Sequence, residues 1–218
     1  MTRASTARCT AAAAALLLAA CTTGTSVELP DRGTVRLTTQ ATSLAVDVPP
    51  AIDGRIRYAG NGLYRFGDPD ATPYAQAGSI SAEITNPAIL DAFKARLAGA
   101  TDAQILDAYL TAIGPLDKAS PGRPTNRLRD YATGDPRPEH TALGIACAER
   151  RLRAEDRNVQ GQPRRLYLYN ALIYTCIDPK SRLPVELTWS ERHRAGTHRL
   201  SPTFETDAQT FFASLRFL

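Results

Sequence analysis

Lysine is almost missing from this 218-residue chain: three lysines stand beside 23 arginines, with a single Met and a single Trp. No apolar run approaches the 18 or more residues that a membrane-crossing helix needs, the longest being Ala11 to Ala20. Charged residues make up 22% and the formal excess is only +4, which excludes a disordered polyelectrolyte. No Gly-X-Y period is present, and four cysteines are too few for a miniprotein built on disulfides. Also missing are a G-x-S-x-G elbow, a P-loop and a dinucleotide fingerprint. His140, His193 and His198 lack metal-ligand spacing, and Arg192 and Arg194 beside His193 would repel a cation, so surface histidines are expected and neither metal nor cofactor is. A Ser or Thr triad assembled in space stays open, because triads are spatial rather than sequential.

What is present at the N-terminus is a targeting segment. Arg3 and Arg8 precede the ten-residue apolar stretch, and no acid occurs before Glu28. That pattern is too short for a permanent span and fits a cleaved signal peptide over residues 1–20. Leu18-Ala19-Ala20-Cys21 resembles the lipobox of bacterial lipoproteins. The resemblance implies a diacylglyceryl thioether on Cys21, cleavage just before it by signal peptidase II, and a further acyl chain (such as palmitate) on the new amino group. Thr at position 22, where the family's retention signal has Asp, implies sorting to the outer membrane, facing the periplasm. Two or three acyl chains give stable anchoring at about 0.8 kcal/mol per buried CH₂.

Loss of the leader removes Arg3, Arg8 and Cys9, which halves the charge excess and leaves Cys21, Cys147 and Cys176. With Cys21 lipidated, Cys147 and Cys176 form an even pair for an oxidising compartment. The slight charge and the compartment exclude nucleic acid as a partner.

The mature chain reads as a lipidated tether over 21–34 and a single α+β domain over 35–218. Leu44, Val46 and Val48 alternate as a strand, closed by Pro49-Pro50. Ile56 and Tyr58, Gly60-Asn61-Gly62 and Leu63 to Phe66 make a hairpin, and Ile80, Ala82 and Ile84 a further strand. Asn86-Pro87 starts one helix, which Gly99 stops; Thr101-Asp102-Ala103-Gln104 is a capping box for a second, closed by Gly114-Pro115. Residues 117–139 have no periodicity and read as a long loop. Leu166 to Ile177, the turn Asp178-Pro179-Lys180-Ser181, and Val185, Leu187 and Trp189 predict two strands. Thr206-Asp207-Ala208-Gln209 opens a terminal helix with Phe211, Phe212 and Leu215 inward. This order of elements predicts an antiparallel sheet with the helices packed on one face.

Residues 142–155 suit either a helix or a strand. If they pair antiparallel with 165–177, a Cys147–Cys176 bond places the hairpin centre between Gly161 and Gln162, where the turn chemistry also lies. Counting from a two-residue loop makes the cysteines a non-hydrogen-bonded pair, close enough for a structural disulfide, whereas a wider loop, which Pro163 without its N–H would allow, flips that parity.

Arginine carries the remaining signal. Arg150, Arg151, Arg153, Arg157, Arg164 and Arg165 lie near the hairpin tip, and Arg123, Arg127, Arg129 and Arg137 in the long loop. A guanidinium offers a planar fork of donors to carboxylate or phosphate, and Arg150, Arg151, Arg153, Arg164 and Arg165 are the candidate ligand-binding set. The expectation is a membrane-anchored, non-catalytic binding module for an envelope protein or an anionic glycan or lipid, such as an immunity or inhibitor protein. The alternative is a periplasmic hydrolase acting on envelope polymer or lipid.

Overall fold

A computed structural model describes residues 26–28, 33–39, 42–50, 56–60, 63–67, 74–81, 95, 97–119, 128–133, 137–140, 144–156, 165–197 and 199–218. Cys21, most of the helix expected after Asn86, the hairpin turn around Gly161, Arg164 and His198 lie outside them. The chain runs β1 (Ser26–Glu28), β2 (Thr34–Thr38), β3 (Ser43–Asp47), β4 (Ile56–Gly60), β5 (Leu63–Gly67) and β6 (Tyr74–Ser81). Next come α1 (Asp102–Ala119), β7 (Leu128–Thr133), β8 (Arg137–His140) and β9 (Ala146–Asp156). The chain closes with β10 (Tyr167–Ile177), β11 (Pro184–Arg194), α2 (Phe204–Ala213) and β12 (Arg216–Phe217).

Two antiparallel sheets result. The larger has the order β4-β5-β6-β11-β10-β9-β7, with β8 also paired to β9; the smaller has the order β1-β2-β3-β12. Leu172, Tyr174 and Cys176 of β10 stand on one side with Val185, Leu187 and Trp189 of β11. They share one core with Leu44 and Val46 of β3 and with Phe204, Ala208, Phe211 and Phe212 of α2. Tyr174 stacks on Phe212 at 5.0 Å between ring centroids, and Trp189 meets Phe211 at 5.8 Å. The inward phenylalanines expected from the sequence are therefore in place. β12 pairs with β3, Phe217 opposite Leu44, so the C-terminal residues complete the sheet that the N-terminal strands began.

The two described helices do not share a face. Ile105 and Leu106 of α1 cluster with Ala148 and Ile177. Each is one residue from a cysteine of the core just described, and successive strand residues point to opposite faces. The expectation of helices on one face is corrected: element order carries no information about which side a connection takes.

Strand pairing settles residues 144–156. Cys147 lies directly opposite Cys176 in the β9–β10 ladder, and the two are joined with their Cα atoms 4.1 Å apart. That is the short spacing of a non-hydrogen-bonded pair. Helix propensity in this Ala- and Arg-rich segment yields to burial between two neighbours. The capping box of α1 is complete: the Thr101 amide donates to Gln104 Oε1 at 2.8 Å, and the Gln104 amide to Thr101 Oγ1 at 3.3 Å. Gly99, at φ +82°, supplies the left-handed residue ahead of it.

Five boundaries differ from expectation. The tether contains β1, paired residue for residue with β2. The long loop holds the end of α1 and strands β7 and β8, because β9 offers hydrogen-bonding partners that compensate for absent periodicity. α1 also continues through Gly114-Pro115, since a proline removes one helical bond without removing the rest. α2 starts at Phe204, ahead of the expected Thr206, and Phe204 is buried in the core. β6 likewise runs from Tyr74 to Ser81, earlier than the Ile80–Ile84 segment expected.

Gly67 is required where it is. It has φ +74°, and a Cβ there would come within 2.5 Å of the Gln76 carbonyl oxygen on β6.

Phe211→Ala is expected to cost about 3–5 kcal/mol in urea unfolding, as for other fully buried aromatic truncations. Replacing Cys147 and Cys176 together by alanine is expected to cost about 3–4 kcal/mol, from the roughly 30-residue loop the bond closes.

Candidate binding surface

Strand alternation divides the candidate arginines. Arg150 is buried on the α1 side, where it donates to Glu186 Oε1 at 2.9 Å; the Thr175 hydroxyl donates to the same oxygen at 3.2 Å. Arg151 faces the other way, donates to Glu205 of α2 at 2.7 Å and lies 3.7 Å from Glu149. Glu149 in turn accepts from Gln209 of α2 at 2.6 Å. Both arginines hold the fold together. The hydrogen bond from Arg151 keeps the Glu205 carboxyl below its ordinary range, with the Arg153 charge adding to it.

Arg153 and Arg165 are exposed, and Arg153 acts on the Glu205 carboxyl through its charge. Arg199, which was not among the expected site residues, is exposed at the same end of the sheet. The Ala195 amide donates to the Leu166 carbonyl at 3.0 Å, which brings the segment after β11 alongside Arg165. That segment then returns over the sheet: the Ser201 amide donates to Glu191 Oε1 at 2.7 Å. No spacing rule connects Arg199 to Arg153, so its membership was not readable from sequence. Two exposed leucines lie in this region, Leu168 (38%) on β10 and Leu200 (36%) in the returning segment. Of the acids nearby, Asp156 is buried and accepts from Arg192 at 3.3 Å, and Glu155 stands directly opposite Leu168 on the same face as Arg153. The Arg192 guanidinium also lies 5.6 Å from the centre of the Tyr167 ring.

His193 is a correction. Expected on the surface, it is 5% exposed, because it is paired with Leu168 on one side and Tyr74 on the other beneath the returning segment. Glu191, two residues earlier on the same face, is fully buried. Its oxygens accept from the Ser201 amide and from Gln76 Nε2 at 3.4 Å, and Tyr74 also hydrogen-bonds to it. Burial, and then that bond, push the Tyr74 hydroxyl far above the usual tyrosine range. Glu191 thus acts as the acceptor that pins the returning segment. Among the described residues, no group of His, Cys, Asp and Glu is arranged to hold a metal. Nor is any helix among them long and apolar enough to cross a membrane.

The opposite end of the sheet is organised by Asp178, buried in the β10–β11 turn. Its carboxylate accepts from the Lys180 amide at 2.9 Å, the Ser181 hydroxyl at 2.7 Å and the Thr42 hydroxyl ahead of β3. Arg182, in the left-handed region at φ 60°, donates from its amide to the Asp178 carbonyl at 2.8 Å. Its side chain donates to Asp102 at 3.1 Å and to the Ala100 carbonyl, so the start of α1 is fixed to the same turn.

Fold and surface define a disulfide-bonded antiparallel β protein with two described helices and a basic, partly apolar end. No family model matches the chain. No curated protein matches it either. Among solved structures, it is similar to the immunity protein TplEi of the type VI secretion system of Pseudomonas aeruginosa, solved in complex with the "L" peptide. That match has 13% identity, covers 84% of this chain and 74% of that one, and has a TM-score of 0.28, a level that carries no argument.

Asp47 provides a pH test. The hydrogen bond from Arg216 at 2.8 Å, aided by Thr34 at 2.6 Å, lowers its carboxyl below the ordinary value near 3.8. A lowered folded value contributes stability that is present above the unfolded value and lost as pH falls through the folded one. Arg216→Ala is therefore expected to flatten the acid limb of a stability–pH profile below about pH 4. An unchanged limb would remove this pair as a contributor.

Proposed function

We propose that this chain is a lipoprotein of the cell envelope, anchored through Cys21 and facing the periplasm from the outer membrane. It acts as a non-catalytic binding module for a protein or an anionic envelope component, and an immunity or inhibitor protein is one form of that role. The observation carrying the binding reading is the exposed group Arg153, Arg165 and Arg199 at one end of the sheet. Arg150 and Arg151, from the same run of sequence, are committed to internal carboxylates. Exposed guanidinium groups suit a carboxylate- or phosphate-bearing partner.

The hydrolase alternative would draw on His193 and Glu191, two residues apart on one face of β11, beside Ser201, whose amide bonds to that carboxylate. There the carboxylate already accepts structural hydrogen bonds.

Anchoring is tested by metabolic labelling with palmitate. Label is expected on the wild-type chain and absent from Cys21→Ala, which should leave the membrane fraction. Equal labelling of both would end the lipoprotein reading. Binding is tested on the processed protein with polyglutamate and purified lipopolysaccharide as probes. Joint Arg153→Glu and Arg165→Glu substitution is expected to weaken whichever probe binds by at least tenfold, whereas Arg36→Glu on β2 should have little effect. Equal effects would show a general charge response and overturn the site.

A further inference from the structure

The basic end lies at the opposite end of the sheet from Ser26, the first described residue after the proposed anchor. Ser26, five residues from Cys21, pairs with Thr38, and Thr38 pairs with Ser43. Next to Ser43, Thr42 bonds to Asp178, at the disulfide end of β10. Five residues reach at most about 18 Å, so an anchored Cys21 would keep this end near the membrane. Arg165 and Leu168 stand at the other end of β10, an eleven-residue strand that is roughly 35 Å long.

The same division appears in the exposed apolar side chains. Three large hydrophobic residues are exposed among those described: Leu168, Leu200 and Leu218. Leu218 belongs to the anchor end, where its carbonyl accepts from Lys180 and its amide donates to Ser43. The other two lie at the arginine end, where Arg153 shares the face of Leu168, Glu155 stands directly across from Leu168, and Arg165 has the opposite parity. Arginine beside an apolar contact, with lysine nearly absent from the chain, is the composition of a protein-recognition surface.

We infer that the Leu168–Leu200 surface, flanked by Arg153 and Arg199 and far from the end that the proposed anchor would hold, docks an acidic protein segment carrying apolar side chains. Charge complementarity selects an acidic occupant, the two leucines require an apolar contact, and the distance from the anchor favours a protein over the lipid surface that holds the chain. This rests on the anchored binding module proposed above and names the partner of its basic site.

The test uses the processed full chain in phosphatidylcholine nanodiscs. One probe is a fluorescent peptide alternating Glu and Leu, compared with a Glu/Ser peptide of equal charge. The other is phosphatidylglycerol vesicles. The Glu/Leu peptide is expected to bind, and the Glu/Ser peptide about tenfold more weakly. Leu168→Ser with Leu200→Ser should weaken the Glu/Leu peptide by a similar factor, while Leu218→Ser leaves it unchanged. Because the substituted leucines are already exposed, these variants are expected to keep the wild-type urea midpoint. Arginine-dependent binding that ignores Leu168 and Leu200, or recruitment of the vesicles in place of the peptide, overturns this inference and leaves the anionic binding module standing. Failure of every anionic probe to show arginine dependence overturns both.

Discussion

The register of β9 against β10 is the constraint on which the rest of the structure depends. A strand's side chains alternate with period two, so a slip of one residue would exchange every inward side chain for an outward one. It would turn Arg150 away from Glu186 and Arg151 away from Glu205, and move the cysteines out of opposition. The Cys147–Cys176 bond, buried at the edge of the main core, fixes this register covalently. The β10–β11 ladder shares its central strand and inherits the same parity, which places Val185, Leu187 and Trp189 against α2.

Polar side chains complete what the apolar core begins. Asp178 gathers the β10–β11 turn and the approach to β3, while Arg182 ties the start of α1 to that turn. Glu191 does the equivalent at the other end by holding the segment that leads into α2. These buried groups matter because an unpaired carboxylate in such places would cost several kcal/mol, so each bond specifies where a connection must run. Arg192 and Asp156, both buried, impose the same discipline on the ends of β11 and β9. Two ends of distinct chemistry result, one built on a turn and a disulfide and the other leaving arginines and leucines in solvent.

Much of the local structure was legible in the residues themselves. The Thr101–Gln104 box, the Asp178 turn, the pairing of Gly60 with Leu63 and the phenylalanine stripe of α2 involve partners a few residues apart. The cysteine pairing was legible as well, because an antiparallel ladder obeys one number: opposed residues share a midpoint. The binding surface was only half legible. Arg153 and Arg165 were among the candidates, but Arg150 and Arg151 stood beside them with identical chemistry. Nothing short of knowing which side each strand buries could separate the committed from the exposed.

By itself, the sequence determined the periodic strands, the α1 capping box and the cysteine register, since each depends on contacts or parity that the covalent chain already orders. Only the tertiary structure decided that α1 and α2 meet opposite faces, that His193 is buried, that strands β7 and β8 form in an aperiodic stretch, and that Arg199 and Leu200 join the end of the sheet near Arg165. Each of those outcomes depends on what covers a surface after long-range pairing, and short-range propensity contains no term for a neighbour distant in the chain.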